Sequence, residues 1–243
     1  VQAFELAGAA CDRVHINRLV ENPGLLSSYG ILAIAGGFSY GDDISAGRIL
    51  AQQISSALLE PLRRFVESGR PIAGICNGFQ VLVKTELLPG HAAGEASAHP
   101  ATLAHNTSGR FTCKWVDVEE DPTSRCVWTK GVGQFSLPMA HGEGRFVPAT
   151  GEVLSRLKAN GQVALRYVAG PMARGSGTAG NPNGAVDDIA GVCDETGLVF
   201  GLMPHPERHL RASQHPAWTS LGLEADAEGP GARIFRNAVG LVR

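Results

Sequence analysis

Gly74-Ile75-Cys76-Asn77-Gly78-Phe79-Gln80 is the stretch whose reading decides the fold. Pro71-Ile72-Ala73 before it reads as the end of a short buried strand, and Phe79 to Lys84 after it runs on as a helix. The spacing G-x-C-x-G matches the nucleophile elbow G-x-S-x-G, in which two glycines let the backbone bend sharply and lift the central side chain clear of the sheet. At a helix N-terminus the peptide dipoles favour thiolate over thiol, so Cys76 is the candidate nucleophile. The plainer reading of the same stretch is a buried cysteine in a tight glycine turn.

Working outward, the 243 residues suffice for one α/β domain spanning 1–243. A net charge of −2 without a long basic run points away from nucleic acid. No apolar run is long enough to cross a bilayer, and no leader of the charged-then-apolar kind opens the chain. The five cysteines, Cys11, Cys76, Cys113, Cys126 and Cys193, are odd in number and contain no C-x-x-C pair. That pattern speaks against a disulfide framework or structural zinc and for a reducing cytoplasm.

From the start, residues 1–8 read as a helix stopped at Gly8, then Val14-His15-Ile16 as an edge-like strand. Doubly wound domains open on a strand, so a first strand is expected to be missing from the chain. Tyr29 to Ala35 reads as a strand running into Gly36-Gly37-Phe38-Ser39-Tyr40-Gly41-Asp42-Asp43, a second glycine turn at the ligand-binding edge of a parallel sheet. Ser45 to Ser68 predicts two helices meeting near Pro61, with Gly69 as the stop. The resulting right-handed crossover brings the two glycine turns side by side. Residues 91–100 are small and polar. Phe111 to Val118, Cys126 to Thr129 and Phe135 to Ala140 read as short antiparallel strands, the last ending in a His141-Gly142-Glu143-Gly144-Arg145-Phe146 connection. A short helix or turn over Gly151 to Asn160, a strand over Gln162 to Val168 and a long loop over Gly170 to Gly184 follow. Ile189 to Cys193 and Leu198 to Met203 form a hairpin that delivers Pro204-His205-Pro206-Glu207-Arg208, and Ala232 to Leu241 closes the chain as an amphipathic helix.

A cysteine nucleophile needs a base and a group to orient that base, and His205 and Glu207 suit these roles. Two residues apart in an extended segment, with Pro206 discouraging helix, they face one side. A merely local His-Pro-Glu surface turn is the plainer reading. H-x-E also opens the zinc deaminase signature, but the P-C-x-x-C it requires is absent. The turn at 36–41 lacks both P-loop and dinucleotide spacings, and serves better as half of an oxyanion hole. Its donors are the backbone N–H of Asn77 and an N–H near Gly37 and Phe38.

Together these stretches resemble the class I glutamine amidotransferases, and within them the glutaminase subunits of phosphoribosylformylglycinamidine synthase, the PurQ family. Six blocks in family order carry the resemblance: 36–42, 74–80 with Leu87-Leu88-Pro89-Gly90, Asn106-Thr107-Ser108-Gly109-Arg110-Phe111, His141-Gly142-Glu143-Gly144, Asn181-Pro182-Asn183-Gly184, and Met203-Pro204-His205-Pro206-Glu207-Arg208. It implies an α/β fold with a mostly parallel, flavodoxin-like open sheet flanked by helices and an added small antiparallel sheet. It also implies hydrolysis of L-glutamine by a Cys76-His205-Glu207 triad, with ammonia passed to a synthetase partner and a small third subunit sometimes joining the complex. Gln80, one helical turn past the nucleophile, is expected to contact glutamine, and His141, Gly142 and Glu143 to grip its α-amino and α-carboxylate ends. No cofactor or metal is implied for this chain; ATP and magnesium belong to the partner. The chain departs from the family pattern in lacking the opening strand with its asparagine-cysteine-aspartate turn, in the run Gly41 to Gly47, and in a longer section over 119–180 with no assigned role. A thiol γ-glutamyl hydrolase and a non-catalytic regulatory subunit are the alternative readings.

Overall fold

Where both faces of a strand are covered, the sequence reads as an unbroken apolar run, and three such strands make the middle of this protein. In the computed structural model, which describes residues 1–42, 44–91, 99–172 and 180–242, they are β2 (Ile72–Ile75), β8 (Ile189–Cys193) and β9 (Val199–Leu202), with every residue buried. They join β1 (Leu32–Ile34), β4 (Thr112–Glu120), β5 (Gln134–His141) and β7 (Val163–Val168) in one seven-stranded sheet of order β1-β2-β9-β8-β7-β4-β5. A second sheet pairs β3 (Ala101–His105) with β6 (Glu143–Pro148). The helices are α1 (Gln2–Leu6), α2 (Ile16–Glu21), α3 (Arg48–Ala57), α4 (Leu59–Glu67), α5 (Asn77–Lys84), α6 (Gly151–Ala159) and α7 (Gly231–Leu241).

The expected α/β class, open sheet and small antiparallel addition are all present, but the sheet expected to be mostly parallel is mixed. Parallel pairing is confined to β1-β2 and β2-β9, and the remaining pairs of the main sheet are antiparallel. The two parallel pairs are the ones that need helical crossovers, and they hold the elbow. The crossover from β1 to β2 runs through α3 and α4, which meet at Leu58 with Pro61 in the first turn of α4. There the missing N–H of proline costs no helical hydrogen bond.

Several local expectations differ from the structure. The segment Val14 to Ile16 is not a strand: the His15 Nδ1 accepts the Asn17 N–H at 3.2 Å and caps α2. Cys126 to Thr129 forms a turn. Its apolar residues plug the core instead, with Trp128 fully buried and its Nε1–H donating to the Leu198 carbonyl at 2.8 Å. The strand at Tyr29 to Ala35 shortens to β1, and Glu143 to Pro148, read as a connection, is the strand β6. The section 119–180, longer than the family pattern and without an assigned role at the sequence level, holds β5, β6, α6 and β7. Of the loop expected over Gly170 to Gly184, residues 173–179 lie outside those described, as do 92–98 of the small polar stretch. Among the described residues no helix is long and apolar enough to cross a membrane.

Candidate active site

The elbow forms because α5 presses against two strands. A methyl group on Gly78 would run into the backbone carbonyl of Ile34, and one on Gly74 into that of Gly78, so neither position admits a side chain without moving backbone. The bend falls on Cys76, whose φ of 52° and ψ of −106° place it in a region that non-glycine residues avoid. Such strain persists only where the surroundings hold it. Cys76 stands at the N-cap of α5 and is only 6% exposed.

His205 and Glu207 follow β9, the strand next to β2. His205 Nδ1 and Glu207 Oε1 are 2.6 Å apart. His205 is buried, and its Nε2 has no hydrogen-bond partner among the described residues. The ring and the nucleophile meet over Gly36: a Cβ there would stand 3.1 Å from His205 Cε1 and 3.3 Å from Cys76 Cβ. The Cys76 thiol faces the Ala140 carbonyl at 3.7 Å, so the sulfur must leave that oxygen before its proton reaches the ring. Without substrate such bonds are commonly unmade.

Burial pushes the Cys76 thiol up to about 11. The Asn77 backbone N–H pulls the other way, and the Glu207 carboxylate adds to the rise. The expected helix-terminus activation is therefore outweighed by desolvation, and the resting Cys76 sulfur is a thiol.

Gly37, Phe38, Cys76, Gln80, His141, Gly142, Glu143 and His205 line one cavity of about 340 Å³. Asn77 does not line it with its side chain, which instead ties the two glycine turns together. Its Oδ1 accepts the Ser39 N–H at 3.2 Å, and its Nδ2 donates to Asp42 at 3.2 Å and to Gln80 Oε1 at 2.9 Å. Gln80 Nε2 donates to the Glu143 carbonyl, so its amide braces the wall between α5 and β6.

His141 Nδ1 lies 3.0 Å from Asn106 Oδ1. Asn106 Nδ2 donates to the carbonyls of His141 and Arg110, at 2.9 Å and 3.0 Å. With that amide so oriented, Nδ1 carries the ring proton and Nε2 is the free acceptor. Burial, with His205 nearby, pushes His141 down to about 4, so the ring is neutral at physiological pH.

Asp42, Asn106, Arg208 and the Ala140 carbonyl had no assigned role at the sequence level. A buried asparagine within N-T-S-G-R-F was the one signal available for Asn106; the carbonyl had none.

A family model described as the CobB/CobQ-like glutamine amidotransferase domain matches residues 1–242. The phosphoribosylformylglycinamidine synthase subunit PurQ of Dehalococcoides mccartyi is 47% identical over 237 residues, covering 98% of this chain and 89% of that protein. The PurQ subunit of Methanococcus maripaludis strain S2 is 42% identical over 249 residues, with coverage of 98% and 89%. In the solved structure of PurLQS from Thermotoga maritima, a chain matches with a TM-score of 0.65 at 28% identity, over all of this chain and 91% of that one. With a family model spanning nearly its whole length and relatives this similar, the chain belongs to the CobB/CobQ-like glutamine amidotransferases, in the PurQ family of phosphoribosylformylglycinamidine synthase subunits.

Proposed function

We propose that this chain is the glutaminase of a phosphoribosylformylglycinamidine synthase, hydrolysing L-glutamine and passing ammonia to an ATP-dependent synthetase partner in purine biosynthesis. The observation that carries the reading is the meeting of Cys76 and His205 in one open cavity, with Glu207 fixed 2.6 Å behind the ring. Glu207 holds the imidazole so that Nε2 faces the nucleophile side. His205 takes the Cys76 proton as the sulfur attacks the side-chain amide carbon of glutamine. The developing oxyanion is held by the Asn77 N–H and an N–H of the Gly37-Phe38 turn. His205 then protonates the departing ammonia, leaving a glutamyl thioester. In the second half it activates water, and glutamate leaves as the thiol re-forms.

Because the thiol is weakly acidic, sulfur deprotonation belongs to the chemical step and depends on the base. The chain contributes no cofactor in this reading; ATP and magnesium are used on the synthetase. The five cysteines, all free thiols, support a cytoplasmic location. The test is Cys76→Ala in the reconstituted complex. Glutamine-dependent synthesis is expected to fall to background while synthesis from added ammonia survives. Loss of both activities, or persistence of the glutamine-dependent one, overturns the reading.

A further inference from the structure

L-Glutamine is a zwitterion, and a site that takes it out of water must supply a cation for the α-carboxylate and an acceptor for the α-ammonium. Among the described residues lining the cavity, Arg208 is the one arginine or lysine. The histidines there do not replace it. His141 is neutral, His205 is engaged with Glu207, and the His105 side chain is 80% exposed, too far out in solvent to replace a fixed charge.

Arg208 is placed by the same short turn that places the base. Its Nε stands 3.8 Å from Glu207 Oε1, beyond hydrogen-bonding distance, and its side chain is 54% exposed. The two groups pair in charge only; among the described residues no hydrogen bond holds the guanidinium, so its donors at the cavity wall are open to a ligand. On a different element, at the start of β6, the Glu143 side chain is 23% exposed and supplies the negative counterpart.

We propose that Arg208 reads the α-carboxylate of glutamine as a forked ion pair while Glu143 receives the α-ammonium, so that the cavity selects a free amino acid over a carboxamide within a peptide. This rests on the glutaminase reading and adds to it the residue that sets substrate class. The guanidinium charge also reaches the Cys76 sulfur, where it favours thiolate. The experiment must separate these two effects.

A cycle of one substitution against one substrate truncation does so. Wild type and Arg208→Gln, each assembled with the synthetase, are compared on L-glutamine and on 4-aminobutanamide, which is glutamine without its α-carboxylate. The readout is kcat/KM, or the competitive inhibition constant against glutamine where turnover is too slow. Arg208→Gln is expected to lose roughly 10- to 100-fold on glutamine, mainly in KM, the size of a charge-assisted pair. On 4-aminobutanamide the loss is expected to shrink to within about threefold, because the partner of the guanidinium is already gone. Glu143→Gln is expected to show the mirror pattern, its loss vanishing on glutaramic acid, which lacks the α-amino group. Equal losses for Arg208→Gln on both compounds overturn the proposal and assign the arginine to the sulfur or to the fold. Failure of the wild-type complex to hydrolyse glutamine overturns the glutaminase reading instead.

Discussion

At the scale of the residue, the protein places its nucleophile where two effects oppose each other. The N-terminus of α5 and the Asn77 N–H favour the thiolate, while burial and the Glu207 carboxylate favour the thiol and prevail. Below a pKa of about 11 the thiolate fraction grows tenfold per pH unit. Alkylation of Cys76 by iodoacetamide is therefore expected to rise about tenfold per unit between pH 7 and 9. Mass spectrometry of the labelled peptide checks this, and a plateau below pH 8 would show a preformed thiolate. The elbow that makes Cys76 the proposed nucleophile was legible from its two flanking glycines. Its resting protonation state was not, because desolvation depends on neighbours brought in from β5 and from beyond β9.

At the scale of the element, β1 and β2 end side by side, and each end carries half of the site. Two glycines near these ends, Gly36 and Gly78, have different neighbours where a methyl would go. A Cβ on Gly36 meets the His205 ring and the Cys76 Cβ, both side-chain atoms, and also the Ile75 carbonyl at 3.3 Å. Gly36→Ala is expected to leave stability within about 1 kcal/mol of wild type while lowering kcat at least about tenfold by displacing the ring. Gly78→Ala presses on the backbone of Ile34 and is expected to cost about 3 kcal/mol or more, with loss of soluble protein. Thermal melts and glutaminase assays of both variants distinguish them; normal kinetics in Gly36→Ala would contradict the convergence described here. Element identity was readable where a glycine turn or a hairpin partner stood beside the run, as at Ile72 to Ile75 or Ile189 to Cys193. It failed at Val14 to Ile16 and Cys126 to Thr129. There a short apolar run has the same composition in a strand, a helix start or a core-plugging turn, and only packing decides.

At the scale of the whole molecule, the far edge of the main sheet returns to cover the site. Alternate residues of β5 turn their carbonyls to its outer edge. These accept, in order, from His209 Nδ1 at 2.7 Å onto Ser136, from the His205 N–H at 2.8 Å onto Pro138, and from the Cys76 thiol onto Ala140. Pro138 fits such a position because the N–H it lacks would point to the same unpaired edge. The curl of the sheet thus joins its first parallel strands to its last antiparallel one through the catalytic segment. His209 is buried, meets the Trp115 ring edge-on at 5.1 Å, and is the outermost of the three links. His209→Ala is expected to lower stability by about 1–3 kcal/mol and to reduce kcat by loosening the Pro138 contact of His205. Denaturant melts and glutamine kinetics check both, and unaltered kinetics at reduced stability would show that the β5 edge does not position the base.

By itself the sequence determined the elbow and the glycine turn beside it, and singled out Cys76, His205 and Glu207 as the side chains proposed to act there. Each is a local pattern whose backbone demands can be met in few ways. The tertiary structure alone decided that β5 supplies the carbonyl facing the nucleophile, that Asn106 sets the tautomer of His141, and that Arg208 stands at the cavity wall. These depend on how far a seven-stranded sheet curls, a property of accumulated strand twist and packing that no short stretch of residues encodes.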